Sequence, residues 1–154
     1  MLDAEAVSVL LDQHHPAERT VRRAMEAARR LHRDVAIATV TLAELYRGTG
    51  RSQAIDALLS RQAADGLLLR DTDRSLARLV GALLAEAEVG SDLLADAHPV
   101  AVAVEAGGGV VLTADPADLV RLAGPYRTVV IEPLGPGTRQ RTRSTGRQGR
   151  SRRS

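Results

Sequence analysis

The chain has 154 residues, 44% of them hydrophobic, which suits one domain with a sizeable core. There is no Cys, Phe or Trp, and only two Tyr, Tyr46 and Tyr126; this excludes disulfides, thiolate metal sites and base stacking as a main binding mode. The net charge of +2 is unevenly distributed: residues 1–138 hold fourteen Arg and all nineteen acids, for −5, while the seven Arg after Thr138 give +7.

Ala4–Leu11 is predicted as a short helix, and Pro16 is placed to open a long amphipathic helix running to about Arg33. Val35–Ala38 reads as a strand. Leu42–Arg47 and Ala54–Ala64 read as helices divided near Gly48–Gly50, and Leu67–Leu69 as a second strand. Asp73–Glu88 has Leu76, Leu79, Val80, Leu83 and Leu84 on one helical face. A helix over Ala95–Glu105 is broken by Gly107–Gly109, read as a C-cap and turn, before a buried strand at Val110–Leu112. Pro116–Leu122 is a further helix and Thr128–Ile131 a last strand. Short apolar strands alternating with helices predict a parallel sheet covered on both faces. Ligands in such folds lie beyond the carboxyl ends of the strands. Residues 1–134 form the predicted domain. Residues 135–154 have no apolar side chain besides Pro and read as an Arg-rich disordered tail. No apolar run approaches the ~20 residues that span a bilayer and no leader is visible, so a soluble cytoplasmic protein is the default.

Four carboxylates fall near predicted strand ends or helix starts: Asp3, Glu44, Asp96 and Asp115. Each has a structural explanation. Asp3 could cap the first helix, Thr41-Leu-Ala-Glu44 fits a capping box, Asp96 or a neighbour could cap the helix containing Pro99, and Asp115-Pro116 is a usual helix start. Asp118 would then sit where the helix dipole favours an anion. As a set the acids imply more, because Ser, Thr or Asn would cap equally well. Carboxylates meeting at ~5 Å with an effective dielectric of ~20 repel by about 3 kcal/mol per pair. A divalent cation, or protonation, relieves this, and oxygen-only donors favour Mg²⁺ or Mn²⁺ over zinc. There is no phosphate-binding loop with its lysine and no G-x-S-x-G elbow. His98 reads as a solvent-facing or capping residue.

The pieces L-D-A from Leu2, T-x-x-E-L-Y-R-G from Thr41, D-A-H-x-V-A-x-A-V from Asp96 and G-G-x-V-L-T-x-D-P-x-D-L from Gly108 resemble, in order and spacing, the PIN-domain family. The likeness is greatest to VapC-like ribonuclease toxins of toxin–antitoxin pairs and extends over residues 2–131. It implies an α/β fold, a three-layer α/β/α PIN-like domain with a mainly parallel sheet. It also implies Mg²⁺-dependent cleavage of single-stranded RNA, a cognate antitoxin and a homodimer. By position, Asp3, Glu44, Asp96 and Asp115 would form the catalytic site, with Asp3, Asp96 and Asp115 as metal ligands. Asp118, through water, and Thr113, orienting Asp115 or touching a phosphate, would be secondary members. Arg47 and Arg51 would contact the RNA backbone, although solvated surface is the reading favoured for both. Only Met1 and Leu2 precede Asp3, so the first strand is expected to be truncated. A module that binds RNA or protein without cutting is the alternative function.

Overall fold

The structure is a computed structural model that describes residues 1–135. The expected tail, apart from Gly135, lies outside the described residues. Four parallel strands, β1 (Val35–Ala38), β2 (Leu67–Arg70), β3 (Gly109–Thr113) and β4 (Val129–Pro133), pair as β1–β2 and β3–β4. Leu2 joins the two pairs by bridging in parallel to Ile37 on one side and Leu112 on the other. The sheet order is therefore β2, β1, Leu2, β3, β4. The short start takes the central place expected of a first strand: Leu2 N–H donates to the Ala36 carbonyl, Asp3 N–H to that of Leu112, and Leu112 N–H to that of Met1.

Among the described residues, seven helices flank the sheet: α1 (Ala4–Leu11), α2 (Glu18–Arg30), α3 (Thr39–Leu45), α4 (Thr49–Ala63), α5 (Arg74–Glu86), α6 (Leu94–Glu105) and α7 (Pro116–Ala123). A single 3₁₀ turn, Ser91–Leu93, leads into α6. The period-two alternation of the strands divides the core in two. Val35, Ile37 and Leu112 pack with Val7, Val21, Ile55 and Leu58 from α1, α2 and α4. Ala38, Val111 and Val129 pack on the other face with Leu76, Leu83, Val100, Leu119 and Leu122 from α5, α6 and α7. This is the three-layer α/β/α architecture. None of the helices among the described residues is long and apolar enough to cross a membrane.

Several boundaries move for local reasons. Pro16 lies in a turn before α2, which starts at Glu18 after an Ala17 cap, and α2 ends at Arg30 before His32 adopts φ +53°. α3 begins at Thr39, directly after β1, and α4 at Thr49, after Gly48 with φ +82°. Thr41 is thus inside α3 rather than capping it, and the capping box is not formed. At the end of α6, Gly107 N–H donates to Val104 O and Gly108 N–H to Ala103 O, the paired bonds of a Schellman cap. Gly108 has φ +125°, and a Cβ there would stand 2.7 Å from both Cβ and the carbonyl oxygen of Thr128. Gly108→Ala is expected to destabilise the domain by roughly 2 kcal/mol or more, from backbone strain plus overpacking. Urea denaturation measures this; an unchanged midpoint would refute it.

The edge strand is held by charge. Arg70 gives Nε and Nη2 to the two carboxylate oxygens of Glu105, each at 2.8 Å, and Nη2 also to Asp73 at 2.9 Å. Asp73 is in turn the N-cap of α5, accepting from Leu76 N–H.

Candidate active site

The central bridge decides where the first carboxylate stands. Asp3 follows Leu2 immediately, so it emerges at the carboxyl end of the sheet beside Leu112 and Thr113. Its Oδ1 accepts Ala6 N–H at 2.7 Å, capping α1 as expected. The side chain is buried, and Thr113, itself fully buried, is hydrogen-bonded to it. Burial pushes the Asp3 carboxyl up to about 6, and the negative charges of Glu5 and Asp96 push the same way. The bonds from Thr113 and Ala6 oppose the shift without cancelling it.

Asp96 is a half-buried residue inside the first turn of α6, whose N-cap position is Leu93. It is therefore not the cap of its helix, and its charge is felt by Asp3. Asp115 occupies the N-cap position of α7 but makes no side-chain cap bond. Its own N–H instead donates to Thr113 Oγ1 at 3.0 Å. Thr113 thus joins the two strand-end acids: its oxygen accepts from the Asp115 backbone while its hydroxyl is bonded to Asp3. Glu44 is exposed on the last turn of α3, a helix that packs against both α1 and α6. Its carboxylate makes no hydrogen bond or ion pair among the described residues.

Of the four acids, only Asp3 is used as a cap. The structure brings Asp3 and Asp96 together and links Asp115 to them through Thr113. Glu44 and Asp115 are exposed, and no hydrogen bond among the described residues ties the Glu44 carboxylate to the other three. Among the described residues, no three His, Asp or Glu are gathered closely enough to hold a metal ion in this arrangement. The donors at the centre nevertheless suit a hard divalent cation: they are all oxygen, and the buried Asp3 has its ionised form disfavoured until a positive charge arrives.

The two arginines have structural partners. Arg47 Nε caps the Glu44 carbonyl at 2.9 Å. Arg51 gives Nε to the Leu45 carbonyl at 3.1 Å and Nη2 to Ser8 Oγ at 2.9 Å, tying α4 to α3 and α1. His98 differs from expectation. It is 3% exposed, its Nδ1 is 2.7 Å from the Leu94 carbonyl, and its Nε2 is buried with no partner among the described residues. The reason is the packing of α6 between the sheet and α3, α5 and α7, which leaves this turn of the helix no solvent side.

One feature near the site is not visible as a motif. A cleft of about 340 Å³ lies between α7 and the turn before α6, lined by Glu88, Val89, Gly90, Asp92, Leu93, Asp118 and Arg121. Asp118 is one turn along α7 from Asp115, and Asp92 is four residues before Asp96. Only the i, i+3 spacing of Asp118 and Arg121 could have hinted at it.

The family model of the PIN domain matches residues 1–125. The chain belongs to the PIN-domain family. The three-layer parallel architecture of this PIN domain agrees with that membership. Among solved structures, the fold is similar to a chain in the crystal structure of VapBC2 from Rickettsia felis bound to a DNA fragment from their promoter. That likeness has a TM-score of 0.58 and 19% identity, over 86% of this chain and 96% of the other. No curated protein matches the sequence.

Proposed function

We propose that this PIN domain is a Mg²⁺-dependent endoribonuclease that cleaves single-stranded RNA and acts as the toxin of a toxin–antitoxin pair. The observation that carries the reading is the buried Asp3 carboxylate at the sheet's carboxyl edge, with Asp96 near enough to raise its proton affinity and Thr113 coupling it to Asp115. A fold keeps like charges together at a cost unless a cation or proton sits among them. PIN domains are nucleases as a family, which makes the cation the fitting partner. The likeness to a chain of a VapBC complex supports an antitoxin partner for this chain, and a homodimer is what the family resemblance implies.

Asp3, Asp96 and Asp115 would hold the ion, with Mn²⁺ able to substitute for Mg²⁺. When bound, a divalent ion activates water and offsets charge on the scissile phosphate. Glu44, exposed on α3, would accept a proton from the attacking water. Thr113 is a positioning residue: it fixes the Asp115 backbone and restrains the Asp3 carboxyl. Arg47 and Arg51, held at the α3–α4 corner, offer their remaining N–H groups to the RNA backbone.

The direct test is incubation of the full chain with single-stranded RNA, with Mg²⁺ or with excess chelator. Cleavage should require the metal. Equal cleavage in chelator would sink the metal-dependent reading. Salt-sensitive RNA binding with no cleavage would instead support a module that binds without cutting.

A further inference from the structure

We infer that the cleft between α7 and the Glu88–Leu93 turn binds the nucleobase next to the cut and that it selects guanine. The inference rests on the nuclease reading for its placement beside the scissile bond, but its chemistry comes from the cleft itself.

Asp118 and Arg121 share one face of α7 at a spacing where opposite charges usually pair. They do not pair here. Arg121 reaches across the cleft and gives Nη2 to the Glu88 carbonyl at 3.1 Å. Asp118 is half-buried and makes no hydrogen bond or ion pair among the described residues. Carboxylate and guanidinium therefore stand apart along one wall of a space of about 340 Å³. That volume is at the small end of ligand pockets, the scale of one base with its sugar.

The lining favours a base over a phosphate. Glu88, Asp92 and Asp118 outnumber Arg121, so a second anion would be repelled. Among bases, guanine alone presents two adjacent donors, N1–H and N2–H₂, to a carboxylate, together with two adjacent acceptors, O6 and N7, to a guanidinium. Adenine and cytosine offer one amino donor group, and uracil flanks its only donor with two carbonyl oxygens that would face the carboxylate. Arg121 uses one hydrogen bond to Glu88, which leaves further N–H groups of its fork available. The placement follows from helix geometry. Asp118 lies one turn from Asp115 on α7, and Asp92 leads into the turn carrying Asp96, so a base seated here would set its flanking phosphate toward the acidic edge.

The test separates recognition from cleavage. An Asp96→Asn chain, made to bind without cutting, is titrated against labelled U-rich RNA oligomers carrying one central G, A or C, or none. The G-containing oligomer should bind about tenfold more tightly than the others, the effect of one bidentate pair. Arg121→Gln in the same background should bring all four within about twofold, and Arg121→Lys should also lose the preference while keeping charge, because it lacks the fork. Binding of the four oligomers within about twofold by the parent, retention of the G preference in both Arg121 variants, or no RNA binding at all would each overturn the proposal. A G preference in binding, with no cleavage by the unmutated chain in Mg²⁺, would leave guanine recognition standing and overturn only the nuclease reading.

Discussion

Asp96→Asn is expected to lower Mg²⁺-dependent RNA cleavage by about 10³-fold or more while leaving the fold intact. The change keeps the size and shape of the side chain and removes one negative charge from the centre of the proposed metal site. A loss of about 10³ corresponds to roughly 4 kcal/mol of transition-state stabilisation, within the several kcal/mol that a well-held cation supplies. Asp96 is not the cap of α6, and its charge raises the proton affinity of Asp3, so removing it relieves repulsion. Initial cleavage rates read beside thermal melting decide the matter. An active variant would remove Asp96 from the catalytic set. Activity lost together with several degrees of melting temperature would mark its role as structural.

Asp3→Asn should change how stability depends on pH. In metal-free protein, the Asp3 carboxyl titrates near 6 in the folded chain, against 3.8 as its ordinary value, because it is buried. Below pH 3.8 it is protonated in both folded and unfolded chains and the burial carries no charge penalty. Between 3.8 and about 6 the folded chain holds a proton that the unfolded chain has released, so stability falls as pH rises through this window. The loss levels off above it at about 3 kcal/mol, from 1.36 kcal/mol per pK unit. The Asn variant keeps an oxygen for Ala6 N–H and has no charge to bury. Denaturation in chelator at pH 3 and pH 7 should therefore show a wild-type loss about 3 kcal/mol larger than that of the variant. Parallel pH profiles would refute the shift. Mg²⁺ at pH 7 should restore stability to the wild type and do little for Asp3→Asn, since the ion favours the ionised carboxylate only where one is present.

The sequence alone determined the layer architecture and singled out four acids as candidates. Short continuous apolar runs at Val35–Ala38 and Val110–Leu112, separated by helices with apolar faces, allow little besides a parallel sheet covered on both sides. The glycine break at Gly107–Gly109 announced its cap because positive φ is a property of residue type. Helix ends were less legible: Pro16 suits a first turn, yet α2 starts later, since tertiary packing sets where the chain can leave the surface of the sheet.

What only the tertiary structure decided was which of the four acids caps a helix and which do not. In sequence all four carry a respectable capping motif, because local patterns such as T-x-x-E or D-P are blind to what lies across the sheet. In the fold, Thr41 is inside a helix, Asp115 occupies a cap position without bonding as one, and Asp96 is beyond the cap of α6. Only Asp3 caps, and it does so from the centre of the sheet, where Leu2 bridges two strands from distant parts of the chain. The burial of His98 and the separation of Asp118 from Arg121 belong to the same class. Each depends on neighbours many residues away, and pairwise packing across the sheet is information that a local stretch of sequence does not contain.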